Sequence, residues 1–427
     1  MNKRIAFILK NMENNSIGLI FSGEKIIKSS DQFFPFQVNK NFHYLTGLNI
    51  PNQLLVLVKT TETSVLLFAE KRSALKEKWD GSLPSFDSLI KKTNILTIKD
   101  LKTIDEYLKN LFLSNPNISN LYLEKKSQIF MNSFENKLIN NIQSQHILKA
   151  NHDYNNLFKD MRTIKEEEEI YKIKKAIDIS NSIFQNILNN LKSIKGENEL
   201  HGLVLDQLHK NHSNEAFETI VASGKNALTL HYVDNSEDFK GNELVLIDFG
   251  STYDEYNSDI TRTVPVNGTF SERQKILYDI VLSVNKEIIK WVKPGISLLE
   301  FKEKGKSLLS KKLLENKLIT KHEDISEFYY HGLGHHLGLD VHDMCNNEMI
   351  LKPGMVLTVE PGIYIKEEGI GIRIEDDILI TEEGSINLSE SIPKERKILE
   401  ELINSWFIVS LTWQNSIQLL KSHCCEK

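Results

Sequence analysis

Cysteine is nearly missing from this chain: three in 427 residues, Cys345, Cys424 and Cys425. An odd, sparse set with two adjacent members does not make a disulfide framework. It points to a reducing, cytoplasmic compartment. An excess of basic charge is missing too. The formal net charge is −6, and the abundant lysines are balanced by glutamate and aspartate. A nucleic-acid binder would carry a basic stripe, so no nucleic-acid partner is expected. Long apolar runs are also absent. None approaches the roughly 20 residues that cross a bilayer. The run over 5–9 is too short for a signal-peptide core, and 406–413 is short and broken by polar residues. The expectation is a chain with no membrane association and no targeting signal. Its 40% hydrophobic and 26% charged residues are an ordinary globular balance.

Length makes two or three domains the expectation. Over 1–150, strand-like runs at 17–21, 54–58 and 65–68, with weaker ones at 94–98 and 121–123, alternate with helix-like stretches at 100–113 and 127–142. That alternation predicts an α/β layer domain. The aromatic-rich segment 31–47 has no catalytic spacing and reads as a packed loop. Residues 147–162 are polar and mixed and read as a linker. Thr163-Ile-Lys-Glu166 then fits a capping box. Ile170, Ile173, Ile177, Phe184, Ile187 and Leu191 follow at the spacing of a buried helix face. The acidic run 166–169 suits the positive end of that helix and needs no function. A helix over 197–210 and strands near 220–222 and 244–247 come next. The pattern then repeats: a capping box at Ser271 and Gln274, an apolar helix face through Leu277, Ile280, Val284, Ile288 and Trp291, a helix over 298–314, and strands at 355–360 and 371–381. Two rounds of helix, helix and strands predict a pseudo-twofold α+β domain over 160–404, with its site between the halves. A last helix is expected at 393–403, and 405–427 is a tail of unknown role.

Four of the chain's 13 histidines, His331, His335, His336 and His342, fall within one glycine-interleaved stretch, 331–343. Histidine binds metals and titrates near neutrality, and glycine lets the backbone approach a ligand. Acids that could join them sit in apolar strands. Asp248 ends the run 244–248. Asp259 follows eleven residues later, across a hairpin expected to set the two opposite each other. Glu360 ends another strand. Glu375 shares a strand face with Arg373, with Ile372 and Ile374 on the other. A carboxylate in an apolar strand is costly to bury unless paired or bound to metal. Four carboxylates and an imidazole form an oxygen-rich set suited to Mn²⁺, Co²⁺ or Zn²⁺. They exceed the needs of one ion. Two divalent ions sharing bridging carboxylates would generate a hydroxide and polarise a carbonyl.

In the order Asp248, Asp259, His335, Glu360, Glu375 the chain resembles the pita-bread metallopeptidases, which include the methionine aminopeptidases, the aminopeptidases P and the prolidases. His331-Gly-Leu-Gly-His335-His-Leu-Gly-Leu-Asp-Val-His342-Asp, Thr358-Val-Glu360-Pro-Gly-Ile-Tyr364 and Gly371-Ile-Arg373-Ile-Glu375-Asp look like the proline-peptidase signatures. Residues 1–150, clearest at Phe42-His-Tyr-Leu-Thr-Gly47, resemble the aminopeptidase P N-terminal domain. The resemblance implies that Asp248 chelates one ion, Asp259 and Glu375 bridge both, and His335 and Glu360 complete the other. It implies Glu360 as proton acceptor and donor, and His231 and His342 as groups that contact substrate and stabilise the tetrahedral intermediate. His331 and Arg373 match positions near the substrate proline and its downstream carbonyl or carboxylate. On residues alone, His231 reads as structural. His336 departs from the aromatic residue associated with its position and reads as lying behind the ligands or at the surface. Cys345 reads as a plain loop cysteine.

The resulting expectation is a cytoplasmic, dinuclear metal-dependent exopeptidase, Mn²⁺ favoured, cleaving peptides with proline second. A homodimer or homotetramer is implied by the resemblance. Trp79 is either a core residue or one that reaches a neighbouring copy. The rivals are an Xaa-Pro dipeptidase, an inactive peptide- or protein-binding member of the fold, and a creatinase-like enzyme cleaving a non-peptide C–N bond without metal.

Overall fold

The apolar runs of the first 150 residues become adjacent strands. The computed structural model describes residues 2–125, 133–146, 148–346 and 349–405, and they divide into two compact units that part between Met161 and Arg162. In the first, β1 (Ser16–Phe21), β2 (Gln53–Lys59), β3 (Thr63–Ala69), β4 (Thr97–Asp100), β5 (Asn120–Leu123) and β6 (Ala150–Asp153) form a six-stranded mixed sheet ordered β4-β3-β2-β1-β5-β6. The central strand β1 is buried along its whole length, which is why it reads as a continuous apolar run rather than an alternation. Ile17, Leu19 and Phe21 share a core with Ile104, Leu108 and Phe112 of the helix Ile104–Ser114 and with Leu138 and Ile142 of the helix Phe134–Gln145. The spacing of those helical residues is that of a single buried stripe.

The stretch expected as a linker is structured. Residues Ala150–Asp153 pair in parallel with β5, and Asn155–Thr163 is helical. Nothing in Ala-Asn-His-Asp favours a strand. Its backbone groups are drawn into the ladder by a neighbour distant in sequence, a contact that overrides propensity. The expected helix over 127–142 is seen as Phe134–Gln145, its earlier part lying in or next to residues outside the described set.

The second unit opens with α1 (Glu167–Asn190) and α2 (Glu197–Lys210). The cap of α1 falls one turn later than expected. Thr163 ends the preceding helix, and the Glu169 carboxylate accepts from the Glu166 N–H at 2.9 Å. Strands β7 (Ile220–Ser223), β8 (Leu244–Phe249) and β9 (Ile260–Pro265) form an antiparallel sheet ordered β9-β8-β7. The second round brings α3 (Glu272–Trp291), whose Ser271 and Gln274 do form a reciprocal capping box, and α4 (Leu298–Glu315), capped by Ser297 and Glu300. Its strands are β10 (Val356–Val359), β11 (Gly362–Ile365), β12 (Ile370–Arg373), β13 (Asp376–Ile380) and β14 (Ser385–Asn387), in a β10-β13-β14 sheet and a β11-β12 pair. The single strand expected over 371–381 is thus two, broken at Ile374 and Glu375. The Glu375 N–H leaves its own sheet and donates to the Thr261 carbonyl at 3.0 Å. That crossing stitches β9 to the β12–β13 junction and brings acids from distant parts of the chain together. A helix over 396–405 closes the described part. The tail beyond it lies outside the described residues.

Candidate metal centre

Asp248 is buried near the end of β8, opposite Thr261 of β9. Asp259 lies two residues before Thr261, just outside the ladder. The two acids are therefore diagonal neighbours on one face rather than directly opposed. Glu375 reaches the same place from the β12–β13 break, and its carboxylate accepts from the Thr261 hydroxyl at 2.6 Å. His335 comes from the histidine-rich stretch, which has no regular secondary structure beyond a bridge between His336 and Leu357. The stretch is laid along β10: the Thr358 N–H donates to the His335 carbonyl, and the His335 N–H donates to the Thr358 hydroxyl. Gly334 permits this closeness, since a Cβ there would collide with the Thr358 carbonyl. Glu360 follows β10 directly.

These elements place ligand atoms of Asp259, His335 and Glu375 within 4.8 Å of one another. His335 Nε2 lies 3.3 Å from Asp259 Oδ2 and 3.6 Å from Glu360 Oε1, while its Nδ1 sits 3.1 Å from the His336 carbonyl. A backbone acceptor on Nδ1 leaves Nε2 as the metal-facing nitrogen. Asp248 Oδ2 accepts from Arg373 at 2.6 Å, and its Oδ1 is buried with no hydrogen-bond partner among the described residues.

Burial and mutual repulsion weigh on this group. Burial pushes Asp248 up to about 6 against the pull of Arg373, and Glu360 up to about 7 against those of His335 and Arg373. Glu375 is raised well above the carboxylate range by burial and then by Asp259. Burial alone would lower His335, but Asp259 and Glu360 outweigh it and hold it at about 9. Closely packed acids that resist ionisation, a buried orphan oxygen and an imidazole turned toward them fit a centre completed by divalent cations. Oxygen donors with one nitrogen suit hard or borderline ions.

All five residues line one cavity of about 780 Å³, together with His231, His331, His342 and Arg373. The structure therefore brings every candidate site residue to one place. The His342 ring packs edge-on to His335 with centroids 4.2 Å apart. Burial, then the charge on His335, lowers its pKa. His331 sits 2.9 Å from the Tyr364 hydroxyl through Nε2 and 2.7 Å from the Gly332 carbonyl through Nδ1. Burial, then Arg373, holds it down to about 3, so it is a neutral hydrogen-bonding group. His336 is fully buried, does not line the cavity, and has no partner for either ring nitrogen among the described residues. The surface alternative for it falls.

Sequence reasoning missed several supporting groups. Tyr364 bridges His331 and Arg373. Thr261 donates to Glu375. Arg262, fully buried, donates to the backbone carbonyl of Glu375 at 2.5 Å and to Asp376 at 2.9 Å. Tyr364 stood inside a quoted motif and both β9 residues lie within three of Asp259, but nothing local marks a hydroxyl or guanidinium as a support. Lys302, from α4, also lines the cavity, and its place among polar helix residues carried no signal.

Two family models match the chain: metallopeptidase family M24 over residues 171–382 and the aminopeptidase P N-terminal domain over residues 1–121. An Xaa-Pro aminopeptidase of Escherichia coli K12 is 33% identical, the match covering 94% of this chain and 96% of the relative. An Xaa-Pro dipeptidase of Pyrococcus horikoshii is 30% identical over 93% of this chain and 99% of the relative. The structure of a Zn-substituted E. coli aminopeptidase P in complex with product superposes with a TM-score of 0.87 at 31% identity, covering 95% of this chain and 97% of that one.

Proposed function

The chain belongs to metallopeptidase family M24, and from that premise we propose that it hydrolyses the N-terminal Xaa-Pro bond of peptides as a metal-dependent exopeptidase. The observation that carries this reading is the Asp259, His335 and Glu375 cluster set in a cavity with three further histidines and an arginine. We assign Asp248 to one ion, His335 and Glu360 to the other, and Asp259 and Glu375 to both. Bound there, divalent ions supply Lewis acidity, acidifying water and polarising a carbonyl.

The chain's own groups do the rest. Asp248 anchors the free α-amine of the substrate and so measures the chain end. Glu360 takes a proton from the attacking water and returns it to the proline nitrogen as the C–N bond breaks. His231 and His342 donate to the carbonyl oxygen as charge builds on it. His331, kept neutral, and Arg373 border the proline and the carbonyl that follows it. Phe217, Leu230, Val233 and Val341 supply apolar wall. Proline suits such a dedicated pocket because its nitrogen has no N–H and its φ is fixed.

The finer readings are manganese, favoured by the oxygen-rich donor set, a cytoplasmic location, favoured by sparse cysteine, and a homodimer or homotetramer. No helix among the described residues is long and apolar enough to cross a membrane. The dipeptidase alternative differs only in what admits a third residue, and the N-terminal domain match favours the aminopeptidase.

A panel of Xaa-Pro and Xaa-Pro-Xaa peptides of rising length, assayed after chelation and again with Mn²⁺, tests the reading. Release of the first residue from the longer peptides, restored by metal, is the expected result. Asp259→Asn and His335→Ala should each lose bound metal and turnover together. Full cleavage by either variant without metal would sink the assignment.

A further inference from the structure

His231 rides on an irregular strap between β7 and β8, and it has no hydrogen bond of its own among the described residues. Its side chain lines the cavity together with those of Leu230 and Val233. Its position is therefore inherited from the backbone around it. That backbone is tied down by a residue far away in sequence.

Glu197 is the first residue of α2 and is fully buried. Five donors converge on its carboxylate. Oε1 accepts from the Ser223 N–H at 2.7 Å, the Ser223 hydroxyl at 2.8 Å and the Asn226 amide at 2.9 Å. Oε2 accepts from the Tyr232 hydroxyl at 2.8 Å and the Glu237 N–H at 2.9 Å. One carboxylate thus grips the strap at both ends and at the residue next to His231. The backbone agrees: the Glu197 N–H donates to the Glu237 carbonyl and the Phe239 N–H to the Lys195 carbonyl. Asn235 adds a third pin. Held at φ 45°, it accepts from the Val221 N–H and donates to the Thr219 carbonyl, both at 2.8 Å. Tyr232 does not line the cavity. It packs with Leu228 and Leu230 against Ile220, Ala222 and Tyr364. Leu230 and His231 form a turn that runs directly into Tyr232. Anchoring the Tyr232 hydroxyl on Glu197 therefore fixes the backbone from which His231 reaches the cavity.

We propose that Glu197 is the positioning residue for His231, acting through the Tyr232 hydroxyl. The carboxylate touches neither the metal ligands nor the substrate. It sets the angle at which the strap presents the imidazole. The inference rests on reading His231 as a group that contacts substrate.

The test is a double-mutant cycle on the metal-loaded enzyme. Glu197→Ala would leave five buried donors without an acceptor and is at risk of not folding, so Tyr232→Phe is the main probe. It deletes one oxygen and keeps the ring. Glu197→Gln, which turns one acceptor into a donor, is the second probe. Tyr232→Phe should lower kcat/KM about fivefold, the scale of one hydrogen bond, with bound metal unchanged and Tm lower by only a few degrees. Made on a His231→Ala background, it should lower kcat/KM no further, because the group it positions is gone. Glu197→Gln should show the same loss of effect on that background. If Tyr232→Phe costs the same factor with and without His231, the positioning role is overturned while the reading of His231 stands. If His231→Ala alone leaves kcat/KM intact, that reading falls, and this inference with it.

Discussion

Arg373 divides its guanidinium among three groups: Asp248 at 2.6 Å, the Tyr364 hydroxyl at 3.0 Å and the Thr261 hydroxyl at 3.1 Å. Tyr364 in turn hydrogen-bonds His331. One planar fork therefore orients a proposed metal ligand on one side and a proposed substrate group on the other. A lysine would keep the charge but has a single point of attachment. Arg373→Lys should lower kcat/KM by on the order of tenfold or more, since at least two charge-assisted hydrogen bonds lose their geometry. Bound metal should fall less than in Asp259→Asn. Steady-state kinetics alongside metal analysis checks this, and an unchanged kcat/KM would remove Arg373 from the site's machinery. Arg373 and Glu375 do line one cavity, as alternation led one to expect, although the strand that was to carry both ends at Arg373. The contact with Asp248, 125 residues away, was not legible, because no local pattern encodes which distant carboxylate a guanidinium will meet.

At the scale of elements, the histidine stretch is held without helix or strand. Asp343 is buried between Arg162 at 2.5 Å and Lys165 at 3.0 Å, and Arg162 also reaches Asp340 at 2.6 Å. Asp343 also returns its N–H to the His336 carbonyl, and Asn257 donates to the carbonyls of Gly338 and Leu339. Burial would raise the Asp343 carboxyl, but the two cations outweigh it and hold it below its usual range. Removing the shared anion takes a buried counter-charge from Lys165 and leaves Arg162 with Asp340. Asp343→Ala should cost roughly 3–5 kcal/mol in a denaturant titration, the scale of a broken buried ion pair. Asp343→Asn, which keeps shape and one acceptor, should cost less. Equal stability of Asp343→Ala and the parent would refute the clamp. Here the sequence showed which residues cluster but not what shapes them. The glycines and histidines are contiguous and announce a site. The clamp is assembled from residues about 180 apart. The same limit explains the linker reading of 147–162 and the single strand read over 371–381: in both, long-range backbone hydrogen bonds decide. Where the signal is local, as in the Ser271 and Gln274 capping box, sequence and structure coincide.

At the scale of the whole molecule, the charge held at the centre links metal, pH and stability. Asp248 at about 6 and Glu360 at about 7 bind their protons more tightly in the folded chain than the roughly 3.9 and 4.3 of unfolded Asp and Glu. The metal-free fold therefore carries more protons than the unfolded chain between about pH 4 and 7, and its stability falls as pH rises through that window. His335, raised to about 9 from an unfolded value near 6.5, continues the loss in the same direction above it. Cations replace those protons, so metal binds more tightly as pH rises. Metal-loaded and chelated protein should thus melt at closer temperatures at pH 5 than at pH 7.5. The gap should widen by roughly 3 °C or more, at about 2–4 °C per kcal/mol for a domain of this size. A gap that stays constant or narrows would mean that the acids are not held protonated by burial and by one another, and that the cavity does not need a cation to balance its charge.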